Sequence, residues 1–365
     1  MTPDLLSQVW ALPDQRPEFT PAQWETVLGQ ARRARLLGRL ARHHAAHGWL
    51  VDVPTQPRHY LEGALRLVDR HHHELRWEVD CIRRALKTVD TPVVMLKGAA
   101  YFVAQLPPRQ GRLFADIDIL VARERLPDVE GALFRSGWIS EERDAYNERY
   151  YREWMHEIPP LRHVQRGTVI DVHHTITPPT SRFKVNGAKL LERIRSVDER
   201  RDLFVLAPTD MVLHSAVHLF QEGEFDHGLR DLLDMNDLIL HFATANQNFW
   251  SELFDRASEI RLGEPLFHAL HHLDRLFGTR LPPEFHALLL EIRPTWLRRS
   301  AVSAMLALAL RPDHPSCEQP LTKAARWALY VRSHYLRMPP HLVLPHLVRK
   351  AWIRRFPDKS EIQRT

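Results

Sequence analysis

Asp116 and Asp118 are the residues with the most chemistry in them, set in the run Asp-Ile-Asp-Ile-Leu-Val. Aspartate is depleted in strands, so two of them in a β-branched run need a reason. Alternate side chains on a strand leave the same face. Both carboxylates therefore point one way, and Ile117, Ile119 and Val121 point the other. The two Cα atoms are then about 6.6 Å apart. Carboxylates held this way repel each other, and a divalent cation relieves the repulsion. Hard oxygen ligands suit Mg²⁺ carrying substrate phosphates. A solvated strand end would show the same pair, so the motif needs support from elsewhere in the chain.

Two other segments supply it. Val94-Met95-Leu96-Lys97-Gly98 is an apolar run that ends on a glycine before a helical stretch. Such a turn presents backbone N–H groups to an anion, and Lys97 adds a positive charge. An ordinary strand–helix turn would read alike. Asp171 lies in Val169-Ile170-Asp171-Val172-His173, sharing a face with His173 while Ile170 and Val172 take the other. A third carboxylate beside the first pair suits phosphoryl chemistry, where it helps hold a second metal and accepts a proton. A salt-bridged strand aspartate is the plainer alternative.

These segments need a sheet to bring them together. Val93–Leu96, Asp116–Val121 and Thr168–Ile176 read as strands, with helices over Ala99–Leu106 and Glu124–Ser136. Pro21–His47 and Tyr60–Lys87 read as helices before them. After Pro208 the helical period returns over Asp210–Phe220, Leu229–Phe242, Phe249–Ile260, Pro265–Leu276 and Trp296–Leu310. The triplet His71–His73 reads as a solvated helix face. His214 and His218, four apart, read as core or cleft-lining histidines rather than metal ligands with Asp210. Arg230 and Asp234, also four apart, read as a pair; if the back of the chain closes over the cleft, Arg230 touches nucleotide instead.

The chain has 365 residues, 44% hydrophobic and 26% charged, ordinary values for a folded protein. Two distant cysteines, Cys81 and Cys317, suggest neither a disulfide framework nor a cysteine metal cage, and point to a reducing compartment. No apolar stretch approaches the roughly 20 residues that span a bilayer. A cytoplasmic location is expected. The net charge is +5, and residues 322–365 hold ten Lys/Arg against two Asp/Glu. Trp327, Tyr330, Tyr335, Trp352 and Phe356 interleave with those arginines. RNA or an anionic surface would suit them, and so would a helix with an apolar inner face and a basic outer one.

Taken in order, Leu96-Lys97-Gly98, Asp116-Ile117-Asp118 and Asp171 resemble the polymerase-β type of nucleotidyltransferase. The bacterial uncharacterised nucleotidyltransferase family is the closer likeness. It too has an LKG turn, an arginine just before DIDILV (here Arg112) and a D-h-H strand (here Asp171-Val172-His173). Leu213-His214, His218 and Arg230-Asp231-Leu232-Leu233-Asp234 resemble its helical part. The likeness covers roughly residues 91–240. In the wider superfamily the glycine is often followed by Gly or Ser; here Ala99 follows and offers no hydroxyl. Backbone amides, Lys97 or Arg112 would have to supply that donor.

The resemblance implies an α+β fold, with a small mixed central sheet of nucleotidyltransferase type between helical regions. The helical and strand patterns along the chain divide it into residues 1–88, 89–205 and 206–365, the last a helical domain with a basic tail. The resemblance further implies transfer of a nucleoside monophosphate from an NTP, such as ATP, to an acceptor hydroxyl, with release of pyrophosphate. Asp116, Asp118 and Asp171 would be catalytic and hold Mg²⁺, or Mn²⁺ in its place. Lys97, Gly98, Ala99, Arg112, His173 and Arg230 would line the nucleotide site. The acceptor, a small molecule, a protein or an RNA, is not legible. Two other functions fit parts of the pattern. A DxD glycosyltransferase using a nucleotide-sugar accounts for neither the strand–Gly–helix turn nor Asp171. A non-catalytic nucleotide-binding module fits Ala99 but leaves three clustered carboxylates without a use.

Overall fold

The structure is a computed structural model that describes residues 4–140, 142, 144–197 and 202–343. Seven short strands form one mixed sheet: β1 (Val93–Met95), β2 (Ile117–Leu120), β3 (Trp138–Ser140), β4 (Leu161–His163), β5 (Val169–His173), β6 (Arg195–Ser196) and β7 (Leu203–Val205). Their order is β3-β4-β5-β2-β1-β7-β6. β1 and β2 are antiparallel, while β2 pairs parallel with β5 and β1 parallel with β7. The three strands that carry the sequence motifs thus lie side by side at the centre. Ile117, Ile119, Ile170 and Val172 are all buried, as the alternation requires.

Before β1 come α1 (Leu5–Ala11), α2 (Pro21–Arg33), α3 (Leu37–Ala46) and the 32-residue α4 (Thr55–Leu86). The single helix expected over Pro21–His47 is broken between Ala34 and Leu36. Arg35 takes a positive φ of 54° there, and the amide of Leu36 returns to the Ala31 carbonyl. α5 (Lys97–Val103) follows β1 and packs on β1 and β2; α6 (Leu126–Arg135) follows β2. The short α7 (Ala145–Arg149) and α8 (Gly187–Leu191) flank β4 and β5 in the chain. The helical back comprises α9 (Pro208–Gln221), α10 (Gly228–Ala245), α11 (Phe249–Glu259), α12 (Gly263–Phe277), α13 (His286–Glu291), α14 (Trp296–Ala309) and α15 (Thr322–Arg337).

Front and back meet directly. One hydrophobic cluster contains Leu6, Leu40, Val94, Leu120, Leu213, Leu266 and Leu329, so it draws on every stretch of the described chain. Arg39 of α3 is ion-paired with Asp234 (2.7 Å) and with Asp237, both on α10. Arg39 and Asp234 are buried, so each charge depends on the other for solvation. Among the described residues no helix is long and apolar enough to cross a membrane. Cys81 and Cys317 are free thiols.

Candidate active site

The β2–β5 register places Asp118 opposite Asp171. Adjacent strands are about 4.8 Å apart, and paired residues share a face, so the two carboxylates are neighbours. Asp118 is buried, whereas Asp116, one residue before β2, is exposed at its mouth. Lys97 Nζ lies 3.2 Å from Asp118 Oδ1, and His173 Nε2 lies 2.9 Å from the same oxygen. Among the described residues Oδ2 of Asp118 takes no hydrogen bond. Burial alone would raise the Asp118 carboxyl, but Lys97 and His173 hold it well below the usual range. Conversely, burial would lower Lys97, and Asp118, Glu222 and Glu157 push it up.

Asp171 is in a different position. Its Oδ1 is buried with no hydrogen-bond partner. Burial first, then Asp118 and Glu157, push its carboxyl up to about 7. Asp116, though its side chain reaches solvent at the mouth, is also raised, by desolvation from the surrounding cleft walls and by Asp118. A buried, unpartnered carboxylate oxygen next to a second carboxylate is the environment a divalent cation satisfies. Asp118 and Asp171 therefore fit the implied Mg²⁺, with Asp116 exposed at the mouth beside them and Lys97 as the present counter-charge to Asp118.

Lys97 begins α5 with a positive φ of 43°. For a residue with a side chain this costs about 1 kcal/mol or more. It turns the chain out of β1 while leaving the ammonium beside Asp118. Gly98 follows, and the space its Cβ would need is filled by Phe114, whose Cδ1 would lie 2.4 Å away. The glycine thus admits the segment that leads into β2. Ala99 is buried in the core and lines neither cavity of the site.

Two cavities meet at Lys97, Asp116, Asp118, His218, Glu222 and Glu224. The first, of about 330 Å³, adds Arg35, Gly98, Tyr101, Arg112 and Arg230 among its walls. Arg112 is ion-paired with Asp234, and Arg230 with Asp231 at 2.7 Å, so α10 orients both guanidinium groups. Arg230 and Asp234, expected to pair with each other, take these other partners. Burial and the neighbouring Arg230 lower Arg112 to about 10. Tyr101 donates to Ser215 Oγ at 2.6 Å, since that hydroxyl's own proton goes to the Met211 carbonyl.

The second cavity, of about 230 Å³, adds Asp171, His156, Glu157, Gln221 and Arg337. His173 lies behind it, buried, with Nδ1 3.3 Å from Glu157 Oε2. His214 is buried and lines neither cavity, while His218 lines both and sits 3.2 Å from Glu222. Asp210 is far from any ligand role; it holds Arg256 through two hydrogen bonds of 2.7 and 3.0 Å. Arg337 arrives from α15, tied down where Thr180 Oγ1 donates to the Arg337 carbonyl and the Arg182 amide to that of Leu336, both 2.8 Å. Trp327, Tyr330 and Tyr335 of α15 are exposed, and Trp352 and Phe356 lie outside the described residues.

The solvated face expected at His71–His73 holds for His73, which is exposed, and is corrected for His71 and His72. His71 and His72 are half-buried against the loop before β2. The Phe114 amide donates to His71 Nε2, and His72 Nε2 donates to the Arg112 carbonyl, both at 2.9 Å. Each bond fixes a tautomer, because an amide N–H only donates and a carbonyl only accepts. Their partners lie some forty residues on, so nothing local in the sequence signals them. Glu157 and Arg337 escaped sequence reasoning for the same reason.

This chain belongs to the uncharacterised nucleotidyltransferase family, whose model matches residues 20–278. The match takes in the whole sheet, the helices α2–α4, of which α4 holds the Arg112–Phe114 loop through His71 and His72, and the back as far as the end of α12. At the coarse level this makes the protein a transferase that handles nucleotides. No curated protein and no solved structure matches it.

Proposed function

We propose that the protein transfers a nucleoside monophosphate from a nucleoside triphosphate, ATP among them, to an acceptor hydroxyl, releasing pyrophosphate. The observation that carries this reading is the Asp118–Asp171 register pair, with a buried, unpartnered oxygen on Asp171, inside a chain of this family. Asp116, Asp118 and Asp171 would hold Mg²⁺ or Mn²⁺, which when bound neutralises phosphate charge and orients the reacting oxygens.

The residues divide the remaining work. The first cavity, with Arg35, Arg112 and Arg230 in its wall, takes the triphosphate; arginine forks suit phosphate oxygens. Lys97 balances Asp118 before substrate arrives and adds positive charge beside the phosphates afterwards. His173 donates to Asp118 and fixes its rotamer. The second cavity, with Asp171 in its wall, takes the acceptor. There the acceptor O–H loses its proton to Asp171, its oxygen bonds to the α-phosphorus, and the bond from the α-phosphorus to the bridging oxygen breaks. The pyrophosphate keeps that electron pair.

A glycosyltransferase using a nucleotide-sugar is disfavoured by the family match and by Asp171. The test is to mix purified protein, α-labelled NTPs, Mg²⁺ or Mn²⁺ and a cell extract. Label should move to an acceptor with wild type only. Equal labelling by Asp118→Asn would remove the mechanism. Release of nucleoside diphosphate from UDP- or GDP-sugars, without pyrophosphate from NTPs, would favour the glycosyltransferase.

A further inference from the structure

A second group of ligands stands beside the aspartates. An isolated antiparallel bridge sets Glu157 directly opposite His173, and the His174 amide bonds the His156 carbonyl at 2.9 Å. One ligand atom from each of His156, Glu157 and His173 lies within 4.8 Å of the others. His173 is fully enclosed, and Asp118 takes the hydrogen on its Nε2. Its buried Nδ1 then offers a lone pair, without a hydrogen-bond partner, toward Glu157 Oε2 at 3.3 Å. A lone pair facing a carboxylate is repulsive, and either a proton or a metal ion held between them relieves it; the second unpartnered imidazole, His156, favours the metal. His156 Nδ1 is also buried and unpartnered. His156 and Glu157 line the second cavity, which supplies an entry path.

We infer that His156, Glu157 and His173 Nδ1 form a site for a transition-metal ion of the Zn²⁺ or Co²⁺ kind, separate from the aspartate site. Two imidazoles and one carboxylate suit such ions better than Mg²⁺, which prefers oxygen ligands throughout. Asp118 is the carboxylate that orients a metal-binding histidine through its far nitrogen. Three protein ligands leave a fourth position open to the second cavity, where an acceptor oxygen can reach it. This assignment does not depend on nucleotidyl transfer.

The test uses the full chain, stripped with chelator, without nucleotide and with excess Mg²⁺. Co²⁺ is titrated and followed by its visible d–d absorption, with metal content measured after dialysis. One equivalent should bind. Asp116→Asn should bind it equally, while His156→Ala and Glu157→Gln should each weaken it at least tenfold. Thermal melting checks that each variant is folded; should His156→Ala not fold, the nearly isosteric Glu157→Gln carries the test. No Co²⁺ bound by wild type, or unchanged binding in the folded variants, would overturn the assignment and leave a proton on His173. Loss in Asp116→Asn would overturn it too, by placing the ion on the aspartates.

Discussion

Asp171 faces Asp118 across the parallel β2–β5 pair, yet the two carboxylates are in opposite states. The Lys97 ammonium and the Nε2–H of His173 hold Asp118 ionised through one oxygen, whereas Asp171 has a buried oxygen with no partner. Folding therefore stores repulsion at Asp171 that a divalent cation would release.

Replacing Asp171 should separate stability from activity. Its carboxyl is raised from 3.8 to about 7, so the folded state holds the proton more tightly than the unfolded one. Stability from this group falls as pH rises through that window and is lowest above it. Asp171→Asn should therefore melt higher than wild type at pH 8 in chelator, by roughly 1 kcal/mol of stability. Transfer activity should drop by about 100-fold or more. A variant that melts lower in chelator and remains active would contradict both halves.

Gly98→Ala should displace Phe114 and with it the loop into β2, because the ring occupies the methyl's place. A cost of about 1–3 kcal/mol in urea unfolding is expected. Gly63→Ala, in mid-α4 with nothing within 4 Å of the added carbon, should instead stabilise by roughly 0.5–1 kcal/mol. Equal effects at the two sites would rule out the packing argument.

The His71 bond sets a pH dependence. Burial lowers His71 from 6.5, against a smaller opposing pull from Glu74, and its acceptor role toward Phe114 requires the neutral ring. With the folded value below the unfolded one, stability is full above about 6.5 and is lost as pH falls toward the folded value. The melting gap between wild type and His71→Ala should therefore narrow between pH 7 and pH 5. A constant gap would show that the hydrogen bond contributes nothing.

Asp234 lies between Arg39 and Arg112 and is buried. Asp234→Ala removes the buried partner they share, leaving Arg39 with Asp237 and Arg112 with the more distant Asp231 at 3.9 Å, and should cost about 3 kcal/mol in urea unfolding. Asp237→Ala, at the more exposed end of the same cluster, should cost about 1 kcal/mol or less. The reverse ranking would mean that Arg112 is held by something other than α10.

The central strands were legible because alternation is a local property. Two aspartates spaced by two, and a third between Ile170 and Val172, declare a polar face without knowledge of the partner strand. Their register is non-local and came only with the structure. β3, β4 and β7 are three residues each, too short for a period to show. The likeness recognised over residues 91–240 stopped short of the 20–278 match because α2–α4 act through long-range bonds. Arg39 reaches α10, and His71 and His72 reach the loop before β2, with no motif of their own. Lys97 was legible as a charge, but its left-handed backbone, which sets it beside Asp118, was not.

Cation-dependent nucleotide binding tests the aspartate site most directly, because it needs no acceptor. A non-hydrolysable NTP analogue is titrated calorimetrically into wild type, Asp118→Asn and Asp171→Asn, each with Mg²⁺ and with chelator. Wild type should bind in Mg²⁺ and lose at least tenfold in affinity without it, and both variants should show little of that gain. Binding of equal strength with and without Mg²⁺, or a full Mg²⁺ effect in both variants, would contradict the assignment of these carboxylates to a metal–nucleotide site.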